Sequence, residues 1–379
     1  MPFFTNRMKS IREAGQLKGK KVLVRCDFNV PVSGNSITDD YRIERTLSLL
    51  LYLQKEGAKV VLMSHIESTE KTLLPVFEYL KKTFSISFAQ DIYDQSAKDI
   101  YNNLSEGDFL LLENVRRYEG ETTNDEKFAK DLSEFGEIYV NEAFSASHRA
   151  HASIVGVPKY LPSFAGLLLE EEVQNLSRAF NPPHPFLFIL AGAKFSTKLP
   201  LVEKFLKLAD TVFIGGALAN DLFKAEGYET GKSLVSEEKI DFSSILQNPK
   251  LILPEDVTVE NAGKISVEAP DAVSKEEKMT DAGPKTDEIL EKKIKEAKFI
   301  LWNGPLGQYE EGFKEPTFVL AKAIVKSGVE AIVGGGDTLA AIRELDLFDK
   351  FSFVSTGGGA MLEFLANETL PGIQALEKA

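Results

Sequence analysis

Positively charged side chains follow several apolar segments in the first half of the chain, at points where the strands of a sheet would end. Guanidinium groups can donate two parallel hydrogen bonds to phosphate or carboxylate oxygens. Several of them around one crevice would suit a small acid that carries both groups, whereas any one alone fits a solvated surface equally well. The candidates are Arg25, Arg42, His65, Arg116, Arg117, His148 and Arg149, with His151 as the histidine best explained by a structural role in its Ala/Ser-rich turn.

Lysines and glycines follow the apolar segments of the second half. Lys194 comes directly after one such segment, and Lys198 lies one helical turn later on the same face, so both can reach one phosphate tail. AIVGGGDTLAAI and FSFVSTGGGAMLEFL each run through three glycines into an expected helix. Glycines let the backbone approach a phosphate, and a helix start favours anions. Asp337 follows the first triplet, where a carboxylate would meet a metal bound to those phosphates. Together these features predict a site for a nucleoside triphosphate.

Two other nucleotide-binding motifs are excluded, one by its spacing and the other by its absence from the expected place. GYETGKS resembles a Walker A loop, but too few residues separate Gly227 from Gly231, and no strongly apolar strand precedes it. No G-x-G-x-x-G pattern opens the first strand–helix unit, which argues against a dinucleotide-dependent dehydrogenase.

The composition narrows the class of protein. Acidic residues outnumber basic residues by 57 to 44, which gives a net charge of −13, so we expect no general binding to nucleic acid or to anionic membranes. No apolar run is long enough to cross a bilayer, and the first residues lack the apolar core of a secretory signal. The single cysteine, Cys26, excludes an internal disulfide and suits a reducing compartment. We therefore expect a cytoplasmic globular protein.

The elements that would position these groups alternate between strands and helices. Amphipathic stretches such as RIERTLSLLLYLQKEG, whose apolar positions recur at helical spacing, separate the β-rich segments. This alternation predicts an α/β fold built on parallel sheets that helices cover on both faces. In such sheets, ligands bind beyond the carboxyl ends of the strands. The predicted strands are KVLVRCDF, KVVLMSH, FLLLEN, EIYVNEAF, PFLFILAG, TVFIGG, KFILWNG, AIVGGG and FSFVSTGGG.

The length of 379 residues favours two domains. LLLEEEVQNLSRAFNPPHP is typical of a connecting helix that prolines close, and the residue types after the strands differ on its two sides. We therefore predict two Rossmann-like domains, residues 1–162 and 183–361, joined by a hinge helix and linker at 163–182. The polar stretch EAPDAVSKEEKMTDAGPK, residues 268–285, is predicted to be a solvated loop.

Taken in order, the motifs resemble phosphoglycerate kinase along nearly the whole chain. The matching stretches are VRCDFNVP, ITDDYRI, LLENVR, VNEAFSASHRAHAS, AGAKFSTK, WNGPLGQYE, VGGGDT and STGGGAMLEFL. The resemblance implies a glycolytic kinase that moves a phosphoryl group reversibly between ATP and the carboxylate of 3-phosphoglycerate, giving ADP and 1,3-bisphosphoglycerate, with Mg²⁺. It also implies a hinge-bending monomer whose first domain binds the acid and whose second domain binds the nucleotide. The C-terminal tail, residues 362–379, would pack back on the first domain.

The resemblance also implies a role for each site residue. The residues implied to bind the acid are Asp27, Asn29, Arg42, His65, Arg116 and Arg149, with Arg25 and His148 close to them. Those implied to bind the nucleotide are Gly215, Gly216, Asn303, Pro305, Glu310, Lys194, Lys198, Gly336, Asp337, Thr338 and Gly357, with Asp337 also holding the metal. The implied catalytic residues are Arg42, Lys194, Gly358 and Gly359. Because the acid's carboxylate is already a nucleophile, alignment and charge neutralisation would carry a direct in-line transfer after domain closure.

The sequence departs from the family at several positions. Residues 64–68 read S-H-I-E-S where S-H-x-G-R-P is usual, so a substrate-binding arginine is absent from a shortened loop. Arg117 is a hypothetical replacement, and Lys71 is a weaker one because an ammonium group forms no bidentate fork. AFSAS replaces A-F-G-T-A, and Ala191, Thr197 and Pro200 also depart from the pattern. Two alternatives stay open: a non-catalytic relative that binds nucleotide, and a kinase of a different acid.

Overall fold

A computed structural model describes residues 8–34, 36–67 and 72–378 of the chain. The described residues form two compact units. One unit holds the residues up to Gln174 together with those from Asn367 onward, and the other holds Asn175–Ala366. The first division falls inside the segment predicted to connect two domains, although the domain limits drawn from the sequence stay a prediction.

The first unit contains a six-stranded parallel sheet in the order β5-β6-β4-β1-β7-β8. A short antiparallel pair, β2 and β3, lies outside this sheet. The strands are β1 (Lys21–Arg25), β2 (Val32–Ser33), β3 (Ser36–Ile37), β4 (Lys59–Met63), β5 (Ile86–Ala89), β6 (Phe109–Leu112), β7 (Ile138–Asn141) and β8 (Ser163–Ala165). The helices are α1 (Tyr41–Lys55), α2 (Leu74–Leu80), α3 (Gln95–Asn103), α4 (Glu119–Thr122), α5 (Glu126–Ser133) and α6 (Leu167–Ser177), the last of which runs into the second unit.

Apolar spacing explains why these segments form a sheet flanked by helices. The central strand β1 is buried from Val22 to Arg25, as expected of a parallel strand with both faces covered. The predicted helix in residues 42–57 is confirmed as α1, which buries Ile43, Leu49 and Leu53 on one face. The buried face of α1 and the apolar residues of β1 and β4 belong to the same hydrophobic core.

The second unit repeats this plan with a parallel sheet in the order β11-β10-β9-β15-β16-β17. The strands are β9 (Phe186–Leu190), β10 (Thr211–Ile214), β11 (Leu251–Ile252), β12 (Val257–Asn261), β13 (Lys264–Glu268), β14 (Lys278–Ala282), β15 (Phe299–Asn303), β16 (Glu330–Gly334) and β17 (Phe353–Val354). The helices are α7 (Phe195–Leu208), α8 (Ala217–Ala225), α9 (Ser243–Leu246), α10 (Pro284–Glu296), α11 (Glu315–Ser327), α12 (Gly336–Glu344) and α13 (Gly359–Asn367). All nine predicted strands are confirmed, and the α/β class with two helix-flanked parallel sheets is confirmed with them.

The final helix, α14 (Pro371–Glu377), belongs to the first unit. The backbone N–H of Gly372 donates to the carbonyl oxygen of Ser147 at 2.8 Å. A Cβ at Gly372 would lie 2.8 Å from the Ser147 side chain, so the close approach of α14 requires a glycine there.

The prediction of a solvated loop at residues 268–285 was wrong for its second half. Residues 278–282 form β14, which pairs with β12 in an antiparallel sheet of three strands, β13-β12-β14. Met279 and Ala282 are buried, and Met279 packs with Val257, Val259 and Phe223. The charged neighbours of this short strand hid it in the sequence, and only the tertiary packing buries it. Among the described residues, no helix has the length and apolar character needed to span a membrane.

Candidate active site

In the first unit, the strand register brings the predicted acid-binding residues to one edge of the sheet. Arg25, the last residue of β1, lies opposite Met63 of β4 and Asn141 of β7. The three strands therefore end level, and the residues that follow them meet. Asp27 and His65 each lie two residues beyond a strand, and both are buried.

Asp27 is the anchor of this edge. Its carboxylate accepts hydrogen bonds from Arg42 Nη1 at 2.8 Å, from the backbone N–H of Asn29 at 3.0 Å and from the hydroxyl of Ser145. Burial alone would raise the pKa of Asp27, but the Arg42 guanidinium and the hydrogen bonds from Ser145 and Asn29 lower it to about 2. Asp27 is therefore a carboxylate at any physiological pH, and it holds the Arg42 guanidinium in place.

Arg25 and His65 form a buried pair behind this anchor. Arg25 has no exposed surface, and its Nη2 lies 3.0 Å from Nδ1 of His65. The Arg25 guanidinium is therefore bonded to protein groups, at a position that the resemblance implied to be close to the acid-binding residues.

Arg116 and Arg149 are cations that lie close to each other. Burial is the main cause that lowers the pKa of Arg116, and the neighbouring charges of Arg149 and Arg25 add to it. Arg149 Nε donates to His148 Nε2 at 3.2 Å, so His148 orients this guanidinium. Cations packed in this way are stabilised by an anionic ligand, since each ligand oxygen can offset their repulsion.

The base of the shortened loop involves Arg117. Arg117 Nη1 lies 3.4 Å from the carboxylate of Glu113, which is buried. Glu113 in turn accepts hydrogen bonds from Thr72 Oγ1 and from the backbone N–H of Leu73. Arg117 thus pairs with Glu113, the residue that also binds Thr72 and Leu73 at the C-terminal end of the shortened loop. Lys71, the other hypothetical replacement, lies outside the described residues.

In the second unit, Lys198 lies beneath the ends of the parallel strands. Its Nζ donates to the carbonyl oxygen of Ala191, the residue after β9, at 2.9 Å. A Cβ at Gly192 would lie 3.1 Å from the same Nζ. Burial lowers the pKa of Lys198 to about 8, against the opposing effect of the nearby Asp337 carboxylate. The ammonium group is therefore poorly solvated and is suited to meet an anion.

Lys194 has an unusual backbone conformation directly before α7. Its φ is 64° and its ψ is 70°, in the left-handed region that L-residues other than Gly, Asn and Asp rarely adopt. The side chain is exposed, and Thr197 Oγ1 donates to the Lys194 carbonyl oxygen at 2.8 Å. Backbone strain at an exposed lysine between a strand and a helix points to a functional role.

Two glycine triplets begin helices whose starts are open. α12 begins at Gly336 and α13 at Gly359, as predicted from the sequence. A Cβ at Gly336, Gly358 or Gly359 would meet no described atom within 4 Å, so there is open space beside these residues. Such helix starts bind phosphate through their N–H groups and the helix dipole.

A cleft with a volume of about 730 Å³ lies in the second unit. Gly216, Pro305, Glu310 and Asp337 line it, together with Gly192. A Cβ at Gly216 would lie 2.8 Å from the backbone nitrogen of Gly192, so this wall of the cleft requires a glycine.

Four other residues that the resemblance implies for the nucleotide are not among those that line the cleft. Thr338 is buried, and its Oγ1 accepts a hydrogen bond from Gly304 N at 2.9 Å. Asn303 is buried with its amide nitrogen near Met361. A Cβ at Gly215 would meet the Phe213 ring, and Gly357 N donates to Ser355 Oγ. These four residues shape the strand ends and the helix start that surround the cleft.

Sequence reasoning missed three residues of the first unit. Ser145 donates to Asp27, and Glu121 and Ser153 extend the contacts of Arg25. Ser145 was visible only as part of the departure AFSAS. Glu121 carried no signal, because a Glu in a short polar helix is normally solvated. Its burial depends on packing across α4 and the turn at Ser153.

Comparison with known proteins identifies the family of this chain. The phosphoglycerate kinase family model matches residues 11–368. The chain is 41% identical to the phosphoglycerate kinase of Clostridium kluyveri, covering 97% of this chain and 98% of that protein. It is 42% identical to the phosphoglycerate kinase of Borrelia garinii subsp. bavariensis, and the alignment covers 98% of this chain and 100% of that protein.

Solved structures agree. The phosphoglycerate kinase from Coxiella burnetii superposes with a TM-score of 0.84 at 38% identity, covering 98% of this chain and 99% of that chain. The enzyme from Pyrococcus horikoshii superposes with a TM-score of 0.85 at 29% identity, covering 97% and 98%. The chain belongs to the phosphoglycerate kinase family.

Proposed function

We propose that this chain transfers a phosphoryl group between ATP and the carboxylate of 3-phosphoglycerate, giving ADP and 1,3-bisphosphoglycerate. The observation that supports this proposal is that one chain of this family has two complementary sites. One unit has a cationic edge, where positively charged side chains lie near the ends of the strands, and the other unit has a phosphate-type site, whose groups are suited to bind phosphate. The cationic edge contains Arg42, Arg116 and Arg149, and the phosphate-type site contains Lys194 and the starts of α12 and α13. We further propose that the enzyme works as a monomer in the cytoplasm; its one cysteine, Cys26, is free and buried.

Residues of the first unit would bind and orient the acid. Arg42 is held by Asp27 and by the carbonyl oxygen of Asn29 at 3.2 Å, so its guanidinium is fixed before the acid arrives. Arg116 and Arg149 would neutralise the phosphate of the acid, and His65 would donate to one of its oxygens. Because the Arg42 guanidinium is already held in place, ordering it on binding costs little side-chain entropy, and the carboxylate nucleophile is aligned for attack.

Residues of the second unit would hold the nucleotide and the transferred group. Pro305 and Gly216 would contact the base side of the cleft, and Glu310 would accept hydrogen bonds from ribose hydroxyls. Lys198 would bind the phosphates. Lys194 and the N–H groups of Gly358 and Gly359 would stabilise the equatorial oxygens in the transition state. Direct transfer then requires the two units to close on each other.

The chemistry of Asp337 fits a magnesium ion that arrives with the nucleotide. Its carboxylate lies in the first turn of α12, is exposed and lines the cleft. Mg²⁺ is usually held by one or two carboxylates together with substrate phosphates and water. No cluster of three or more His, Cys, Asp or Glu side chains that would hold a metal occurs within the described ranges. When bound, the ion would neutralise phosphate charge, and Asp337 would fix its position.

A coupled assay tests the function and separates it from the alternatives. The chain would be incubated with Mg²⁺, ATP and 3-phosphoglycerate, and in parallel with other phosphorylated acids. Formation of ADP that depends on 3-phosphoglycerate is expected. Turnover only with a different acid would favour the altered-substrate kinase, and nucleotide binding without turnover on any acid would favour the non-catalytic relative.

Proton uptake on nucleotide binding tests the role of Lys198. With a pKa of about 8, Lys198 is partly neutral at that pH, and polyphosphate favours the charged form. Binding of ADP near pH 8 should therefore take up about half a proton, and the affinity should fall as the pH rises further. Calorimetry in buffers of different ionisation enthalpy measures this uptake. Lys198→Met should abolish it, whereas Lys207→Met, at an exposed position later in α7, should not. An equal heat in all buffers would contradict the prediction.

A further inference from the structure

The donor groups of Arg25 are bonded within the protein. Nε donates to Ser153 Oγ at 2.8 Å, Nη1 donates to the carbonyl oxygen of Cys26, and Nη2 donates to Nδ1 of His65 at 3.0 Å. The residue has 0% of its surface exposed. A guanidinium with each nitrogen bonded in this way does not contact a ligand itself, so its influence on the site must pass through a neighbour.

A buried acid balances the charge of Arg25 and holds its guanidinium in place. Ser153 Oγ, which accepts from Arg25, donates to Glu121 Oε1 at 2.6 Å, and Ser153 N donates to Glu121 Oε2 at 2.9 Å. Glu121 also has 0% exposure. Tyr139 fixes the same turn by donating to the Ser153 carbonyl oxygen at 2.8 Å. A buried cation of this kind is stable only when it is paired and bonded, and here Ser153 is the bridge.

The contact between Arg25 and His65 determines where the imidazole carries its hydrogen. A guanidinium is a donor only, so Nδ1 of His65 must be the acceptor. In a neutral imidazole the other nitrogen, Nε2, then carries the hydrogen. The charged groups around the ring are Arg25, Arg42, Arg116 and Asp27. Burial and the Arg25 charge lower the pKa of His65 well below its ordinary value, against the opposing effect of Asp27.

We propose that Arg25 is a positioning residue that fixes His65 as the neutral tautomer with its hydrogen on Nε2. The anchored chain Glu121–Ser153–Arg25–His65 ends in this single N–H donor, which binds an oxygen of the phosphorylated acid. A neutral imidazole cannot give up a proton to the oxygen that it holds, so the donor leaves the charge of the acid unchanged. The inference rests on the proposed function, because the acid is the ligand that His65 serves.

The tautomer can be measured in the unmodified protein. The chain has 4 histidines, so a long-range ¹H–¹⁵N spectrum of protein labelled on histidine resolves every ring, and loss of one set of signals in His65→Gln assigns His65. The expected spectrum shows Nε2–H for His65, and protonation of the ring only well below the ordinary pKa of about 6.5. Hydrogen on Nδ1, or protonation near pH 6.5, would overturn the proposal.

Variants at Arg25 separate positioning from a merely structural role. In Arg25→Met, the His65 ring should show both tautomers and a pKa nearer 6.5. The KM for 3-phosphoglycerate should rise about ten-fold at pH 8 and become pH-dependent between about pH 5.5 and 7.5, while the Kd for ADP stays unchanged. If Arg25→Met does not fold, Arg25→Lys replaces it, since an ammonium keeps the charge but not the fork. A partly mixed tautomer is then expected.

A matched control and one further outcome complete the test. Arg12→Met removes an exposed arginine of the same unit, paired with Glu170 at 3.0 Å, and should change neither the spectrum nor the KM. An unchanged His65 spectrum in a folded Arg25 variant would overturn the proposal. A wild-type protein with the expected tautomer and no turnover of 3-phosphoglycerate would count against the proposed function instead.

Discussion

Replacing Lys194 with glycine should nearly abolish turnover and make the protein more stable. The charge of Lys194 is needed most as the phosphoryl group leaves the nucleotide, so its loss falls on the transition state and lowers kcat by about a hundred- to a thousand-fold. Its φ of 64° is unfavourable for lysine and acceptable for glycine, so the substitution should raise the free energy of unfolding by about 1 kcal/mol. Steady-state kinetics and urea denaturation measure the two effects.

Two further variants control this experiment. Lys194→Ala should lose as much turnover as Lys194→Gly without the gain in stability, because alanine keeps the unfavourable conformation. Ala262 has a φ of 49° in the turn between β12 and β13, so Ala262→Gly should be stabilised to a similar extent with unchanged kcat. Normal turnover in either Lys194 variant would remove this residue from the mechanism.

Substituting Asp337 by asparagine should weaken the binding of ADP in the presence of Mg²⁺ and leave metal-free ADP little affected. Only the carboxylate offers full negative charge to a hard cation, and its loss should cost about ten-fold or more in the affinity for the Mg²⁺ complex. Without the metal, the substitution removes a negative charge close to negative phosphates, so the affinity for ADP should hold or improve slightly. Calorimetric titrations with excess Mg²⁺ and with EDTA give the two affinities.

The control for this substitution is an acid of the same unit that does not line the cleft. Asp349 is exposed in a short helical turn after α12, and Asp349→Asn should change neither affinity. Equal weakening of both forms of ADP by Asp337→Asn would mean that Asp337 acts on the nucleotide or on the fold, and not through the metal.

Short sequence patterns were sufficient to predict those features that depend on interactions within a short segment of the chain. A continuous apolar segment such as FLFIL is stable only as a buried strand, and a glycine triplet between such a strand and an amphipathic helix leaves a helix start open. For that reason the sequence alone determined the α/β class, the nine predicted strands, the helix starts at Gly336 and Gly359, and the family. The binding of anions by Arg42 and Lys198, and of a metal by Asp337, was also inferred from residue type and spacing, and it stays a prediction.

Tertiary structure alone decided which charged groups are buried and what they contact. Residue type suggests that Arg25 and Glu121 are solvated, yet both are fully buried because β1, α4 and the turn at Ser153 close around them. β14 was missed for the same reason: its burial comes from Phe223 and β12, which are distant in sequence. The burial of a polar group and the partner that makes it stable depend on contacts between distant segments, and a linear sequence does not display those contacts.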